Sequence, residues 1–200
     1  MSDKSLRDRG GTGISFGGGE KPALRRKLAQ HTDITGIERT FNKDEFIVSK
    51  TNLLGHITYA NEVFLRMASM TEAETLGAPH SVIRHPEMPR CVFKLLWETI
   101  AAGNEIFAYV INLAKTGDHY WVFAHVTPSF DSGGKIIGYH SNRRVADPVA
   151  LEKIKSLYAD LREIEQASGN PKENMNQAGA YLENLLKEAG ISYDEFIFSL

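Results

Sequence analysis

Arg84, His85 and Glu87 fall in the run Ile83-Arg84-His85-Pro86-Glu87-Met88-Pro89. Within four positions this places a permanent cation, an imidazole that titrates near neutral pH and a carboxylate. The run precedes a helical segment whose free first-turn N–H groups and dipole favour negative charge, so Arg84 and His85 are placed to meet an anionic group. A neighbour that gained negative charge would favour protonated His85 and turn a change of charge into a change of hydrogen bonding. The same two residues could equally do no more than close a loop. Other chemistries are poorly supplied. Cys91 is the sole cysteine, which rules out an internal disulfide and any CxxC motif, and one cysteine among scattered histidines makes no tetrahedral zinc set. The sequence has no nucleophile elbow, P-loop, dinucleotide fingerprint or HExxH pair, and the glycine-rich stretch 10–19 lacks the Gly-Lys-Ser/Thr ending. No enzymatic turnover is expected.

The elements that would position such residues can be read from patterning. Phe46 to Ser49 and Ile57 to Ala60 read as strands joined by a turn over 50–55, with Gly55 as its permissive position. Val63, Phe64 and Met67 begin a helical segment, and Thr71 with Glu74 has the capping-box spacing. Met88, Cys91, Val92, Leu95, Leu96 and Ile100 recur on one face and predict a helix over about 88–102, ended by Gly103. Three β-rich runs follow, 105–113, 120–128 and 136–141, joined through Thr116-Gly117-Asp118 and Asp131-Ser132-Gly133-Gly134. The expected fold class is α+β: a meandering antiparallel sheet with helices on one face and a ligand cleft between them.

Three regions are expected: an arm over 1–45, a folded sensory unit over 46–145 and a helical segment over 146–200. The arm combines a flexible glycine-rich tail with a short basic stretch near 22–30, helical or merely solvated. Beyond Asp147-Pro148, the stripe Leu151, Ile154, Leu157, Tyr158, Leu161 and Ile164 reads as a signalling or dimerising helix rather than as core. Ser168-Gly169-Asn170-Pro171 breaks it, and a second helix carries Tyr181, Leu182, Leu185 and Leu186. The apolar end Phe196-Ile197-Phe198-Ser199-Leu200 should dock on the protein's own surface or on a partner. A hydrophobic fraction of 42% supports a real core, and a net charge of −2 argues against nucleic acid as a partner. With no apolar run near the roughly 18 residues of a membrane span, and no apolar signal core at the start, a cytoplasmic location is expected.

A more specific likeness lies in Tyr59-Ala60-Asn61, Gly77-Ala78-Pro79-His80, the 83–89 run, Phe93 and Trp97, and Thr116-Gly117-Asp118-His119-Tyr120-Trp121 with Val126-Thr127-Pro128 and Gly138-Tyr139. In this order they resemble the PAS domain of the FAD-binding sensors of bacterial aerotaxis, the Aer type. The resemblance implies a five-stranded antiparallel PAS sheet that holds FAD noncovalently, with the cofactor's redox state reporting oxygen or electron-transport status. It places Asn61, His80, Arg84, His85, Glu87, Trp97 and Asn112 at the cofactor. It also implies a chemoreceptor-like or other signalling protein as partner, and PAS domains often form homodimers through flanking helices. Ile106 stands where the best-known receptor has tryptophan, Leu113-Ala114 replaces a basic pair, and Glu87 replaces aspartate. Two other readings share the fold: a haem-binding gas sensor using one of His80, His85, His119, His125 or His140, and a cofactor-free interaction or dimerisation module. A light-sensing flavin domain would need a cysteine in an Asn-Cys-Arg-Phe context, which Arg90-Cys91-Val92 does not supply.

Overall fold

A computed structural model describes residues 33–200. The glycine-rich tail and the basic stretch near 22–30 lie outside the described residues. The folded unit opens with strands β1 (Ile47–Thr51) and β2 (Ile57–Ala60). The chain then runs through α1 (Glu62–Ala68), α2 (Glu72–Thr75), a 3-10 turn (His80–Ile83) and α3 (Arg90–Ala101). Strands β3 (Ile106–Leu113), β4 (His119–Phe130) and β5 (Ile136–Val145) complete a five-stranded antiparallel sheet in the order β2-β1-β5-β4-β3. Helices α4 (Pro148–Gln166), α5 (Pro171–Ala189) and α6 (Tyr193–Phe198) follow.

Local chemistry accounts for most boundaries. Gly55 turns the β1–β2 connection at φ 75°, and a Cβ there would come within 3.0 Å of the Trp97 ring, so both backbone and packing require glycine. Thr71 and Glu74 form the expected capping box at α2. The long helix begins at Arg90 rather than near Met88, because Pro89 is in an extended conformation and serves as its N-cap.

Alternation along the strands separates two faces. Ser49, Thr51, Val110, Asn112, Ala124, Val126, Ser141 and Arg143 face α3 and the 3-10 turn. On the opposite face Phe107, Trp121 and Phe123 meet the C-terminal helices, with Tyr158 6.1 Å from Trp121 and Phe198 4.7 Å from Phe107 between ring centroids. The helices of the 46–145 unit thus lie on one face, as expected, and the C-terminal helices cover the other. The stripe expected to signal or dimerise is instead part of the core: Leu151, Ile154, Tyr158 and Leu161 of α4 are all buried, and the Tyr158 hydroxyl donates 2.6 Å to the Tyr109 carbonyl on β3. A hydrophobic face that meets its own sheet is satisfied without a second chain. The apolar terminus docks on the same surface, with Ile197 buried.

Candidate functional site

Helix α3 crosses the inner face of the sheet and leaves a cavity of about 70 Å³. Phe93, Leu96, Trp97 and Ile100 form its helical wall, and the 3-10 turn closes one side with His80 and Ile83. Trp97 is held edge-on against Tyr139 of β5, with centroids 5.5 Å apart. At the rim, the Arg84 guanidinium lies 4.1 Å from the centre of the Phe93 ring and forms no ion pair among the described residues, while the Arg84 and Asn112 backbones share a bridge. Partial desolvation where the guanidinium lies over Phe93 lowers the Arg84 pKa, although the residue as a whole is exposed at the rim.

The polar groups are concentrated on the sheet. Arg143 of β5 is buried and donates 2.9 Å to Ser49 Oγ and 2.6 Å to His80 Nε2. His80 accepts as a neutral ring: burial first, then the charges of Arg143 and Arg84, push its pKa down to about 3. Four buried polar atoms on cavity-facing side chains have no hydrogen-bond partner: Thr51 Oγ1, Asn112 Nδ2, Ser141 Oγ and Arg143 Nη1. Six further buried polar atoms among the described residues also lack a partner, so what distinguishes these four is their convergence on one cavity, where a polar ligand or water has room to complete the bonding. Asn112 Nδ2 and Arg143 Nη1 donate, and the two hydroxyls both donate and accept. The set fits a flat ligand with an apolar body against Phe93, Leu96 and Trp97 and an acceptor-rich edge toward β3 and β5. The donor chemistry and the aromatic wall suit the ring of a flavin, while a cavity of about 70 Å³ admits a three-ring body only if α3 and the 3-10 turn move outward from the sheet.

Of the seven site residues expected from sequence, His80, Arg84, Trp97 and Asn112 line this cavity and Asn61, His85 and Glu87 do not. Asn61 caps α1: its Oδ1 accepts from the N–H groups of Val48 and Phe64, and its Nδ2 donates to the Phe46 carbonyl. His85 is buried behind the rim, its Nδ1 accepting from the Glu87 N–H and its ring 5.7 Å from that of His119. Burial lowers the His85 pKa, with the Glu87 charge opposing. Glu87 is on the surface, 3.6 Å from Arg162 of α4. Ser49, Thr51, Ser141 and Arg143 were absent from the expected set. The available signal was the alternation Tyr139, Ser141, Arg143, visible once β5 is extended to Val145 rather than ended at Ser141. Cys91 is buried with its thiol pKa pushed up to about 12, chiefly by burial and then by the Glu165 charge, so it takes no part in thiolate chemistry.

A family model described as PAS fold matches residues 57–143. The chain is 35% identical over 134 residues to the Aerotaxis receptor of Escherichia coli (strain K12), an alignment covering 67% of this chain and 26% of the receptor. It is 27% identical over 97 residues to the Nitrogen fixation regulatory protein of Klebsiella pneumoniae, covering 48% of this chain and 20% of that protein. The chain thus spans about a quarter or less of the length of these relatives. A solved structure, "Flavin Analogue Sheds Light on Light-Oxygen-Voltage Domain Mechanism", superposes with a TM-score of 0.48 at 22% identity, covering 57% of this chain and 87% of that one.

Proposed function

This chain carries a PAS domain of the aerotaxis-receptor type, and on that premise we propose that it is a redox sensor holding FAD in the cavity between α3 and the sheet. The observation that carries the reading is the cluster of four unpartnered buried polar atoms around that cavity. FAD, when bound, supplies a ring that accepts and returns electrons. The chain's own residues do the rest. Asn112 Nδ2 and Arg143 Nη1 would donate to the polar edge of the ring, the Ser141 and Thr51 hydroxyls would donate or accept there, and Phe93, Leu96 and Trp97 would cover the ring and exclude water. Arg84, which forms no ion pair among the described residues, would meet the phosphates at the rim. Asn61, His85 and Glu87 act at one remove, by fixing the start of α1 and the 83–89 loop.

A change in bonding at the sheet reaches the helices by two routes. Helix α3 forms the cavity wall, and its first turn is held by Glu165 of α4, whose carboxylate accepts from the Arg90 and Cys91 N–H groups at 3.0 and 2.7 Å. Strand β3 carries Asn112 on one face and the Tyr109 carbonyl bonded to Tyr158 of α4. The output is passed to a chemoreceptor-like or other signalling partner, with homodimers as the working assembly in the cytoplasm. Among the described residues no helix is long and apolar enough to cross a membrane.

The test is chromatography of the cofactor released on denaturing protein purified gently from a flavin-replete host. FAD in near one-to-one ratio is the expected result. Release of haem would move the function to gas sensing, and a cofactor-free protein that takes up neither would leave an interaction module. His80 is a poor candidate for a haem ligand through Nε2, since that nitrogen accepts from Arg143.

A further inference from the structure

Among the described residues, Arg143 differs from Glu165, which is also buried. Glu165 is paired with Arg90 and accepts backbone N–H bonds. Arg143 is 3% exposed, and no carboxylate pairs with it among the described residues. Around its guanidinium are Ser49 from β1, neutral His80 from the 3-10 turn, the Phe64 ring of α1 at 5.7 Å and, on β4, Tyr120, whose buried hydroxyl has no partner. Two of these contacts occupy Nη2, and Nη1 on the cavity wall has none. A desolvated cation is strongly disfavoured unless a negative group compensates it, and this protein leaves the place for that group open toward the ligand.

We propose that Arg143 is the residue by which the cavity selects the charge of its ligand, its Nη1 serving as the counter-ion site for a negatively charged edge. For the redox reading this inference rests on the FAD assignment above. Two electrons from a reductant such as dithionite and one proton from water convert the neutral oxidised ring to a reduced ring with one negative charge, with no bond of the protein broken. Arg143 holds the added charge and so raises the midpoint potential. Ser49 and His80 position the guanidinium, as a hydroxyl and a neutral acceptor that leave its charge uncompensated.

The experiment compares the wild type with Arg143→Gln and Arg143→Lys, each as FAD-loaded protein and as apoprotein stripped of cofactor. In the loaded protein, Arg143→Gln lowers the equilibrium constant for reduction about tenfold, a shift of about 30 mV to more negative potential for a two-electron couple, while Arg143→Lys retains most of the wild-type value. In the apoprotein, Arg143→Gln raises the melting temperature by about 2–4 °C, because it removes an uncompensated buried charge. A residue that served only to pin β1, β5 and the 3-10 turn together would do the opposite, and a lowered apoprotein melting temperature overturns the proposal. So does a loaded Arg143→Gln protein with the wild-type potential. If the wild type takes up no flavin, the FAD reading fails by that fact alone and the apoprotein melting temperatures still decide the role of Arg143.

Discussion

His80 is held neutral by burial and by two nearby arginine charges, and this gives the protein a defined acid sensitivity. Its folded pKa of about 3 lies below its ordinary value of 6.5, so between these limits the unfolded chain binds the proton and the native state does not. Stability is therefore complete above about pH 6.5 and falls as pH drops toward 3, with His85 shifted in the same direction. The lowered carboxylates Glu45, Glu74, Asp118 and Glu195 act below their ordinary values of 4.5 for glutamate and 3.8 for aspartate, outside the upper part of this window. Urea midpoints of the apoprotein should fall between pH 7 and 5, and His80→Gln should flatten that slope. A wild-type midpoint unchanged over this range would contradict the assignment. At this scale the sequence was partly legible. His80, Arg84 and Trp97 sit in segments whose order and type carry the resemblance, and Asn112 is expected only as a position the resemblance implies. Arg143 was missed because the strand patterning was broken off at Ser141, and a charged residue at an inward position reads as the end of a strand until its neighbours are known.

Helix α3 shows how an element can be legible while its anchor is not. Its apolar face is periodic, and the helix was expected within two residues of where it lies. Its cap was hidden: Pro89 offers no side-chain acceptor, and the first-turn N–H groups of Arg90 and Cys91 are satisfied by Glu165, 75 and 74 residues away. Glu165→Ala leaves those donors and the Arg90 side chain without an acceptor, and should cost about 2 kcal/mol in urea unfolding. Because α3 carries Phe93, Leu96 and Trp97 to the cavity, the same substitution should weaken FAD retention. Tyr158→Phe removes a single buried hydrogen bond to the Tyr109 carbonyl and should cost about 1 kcal/mol. An unchanged stability in Glu165→Ala would mean that α4 does not brace the cavity wall. The apolar stripe of α4 is legible as a stripe, but its place in the core rather than at a signalling or dimer surface is not, since periodicity identifies a face without naming what covers it.

At the level of the whole molecule, the sheet is packed on both faces: α3 and the cavity on one, α4 and α6 on the other. Ending the chain after Ala146 would uncover Phe107, Tyr109, Trp121 and Phe123 together. The shortened protein should self-associate in size-exclusion chromatography and bind a hydrophobic dye, whereas the full chain should not bind the dye. A monodisperse, dye-silent 1–146 fragment would show that the helices are an appendage rather than part of the fold. The order of strands and helices and the place of the cleft followed from sequence patterning, because alternation and turn residues are local. The wrapping of the C-terminal helices over the outer face did not, because it depends on contacts between residues such as Phe107 and Phe198 that are far apart in the chain.

A redox-active flavin in the cavity under α3 is what the proposed function requires. The most direct test is the visible spectrum of the wild type and of Ala124→Leu, recorded before and after dithionite. Ala124 is 2% exposed on the cavity wall, so leucine there fills space the ring would occupy. Twin flavin bands should appear in the wild type and bleach on reduction, and should be lost in Ala124→Leu with far-ultraviolet circular dichroism unchanged. Flavin bands of full strength in the variant, or a wild-type protein that is colourless or shows a Soret band, would contradict the proposed function.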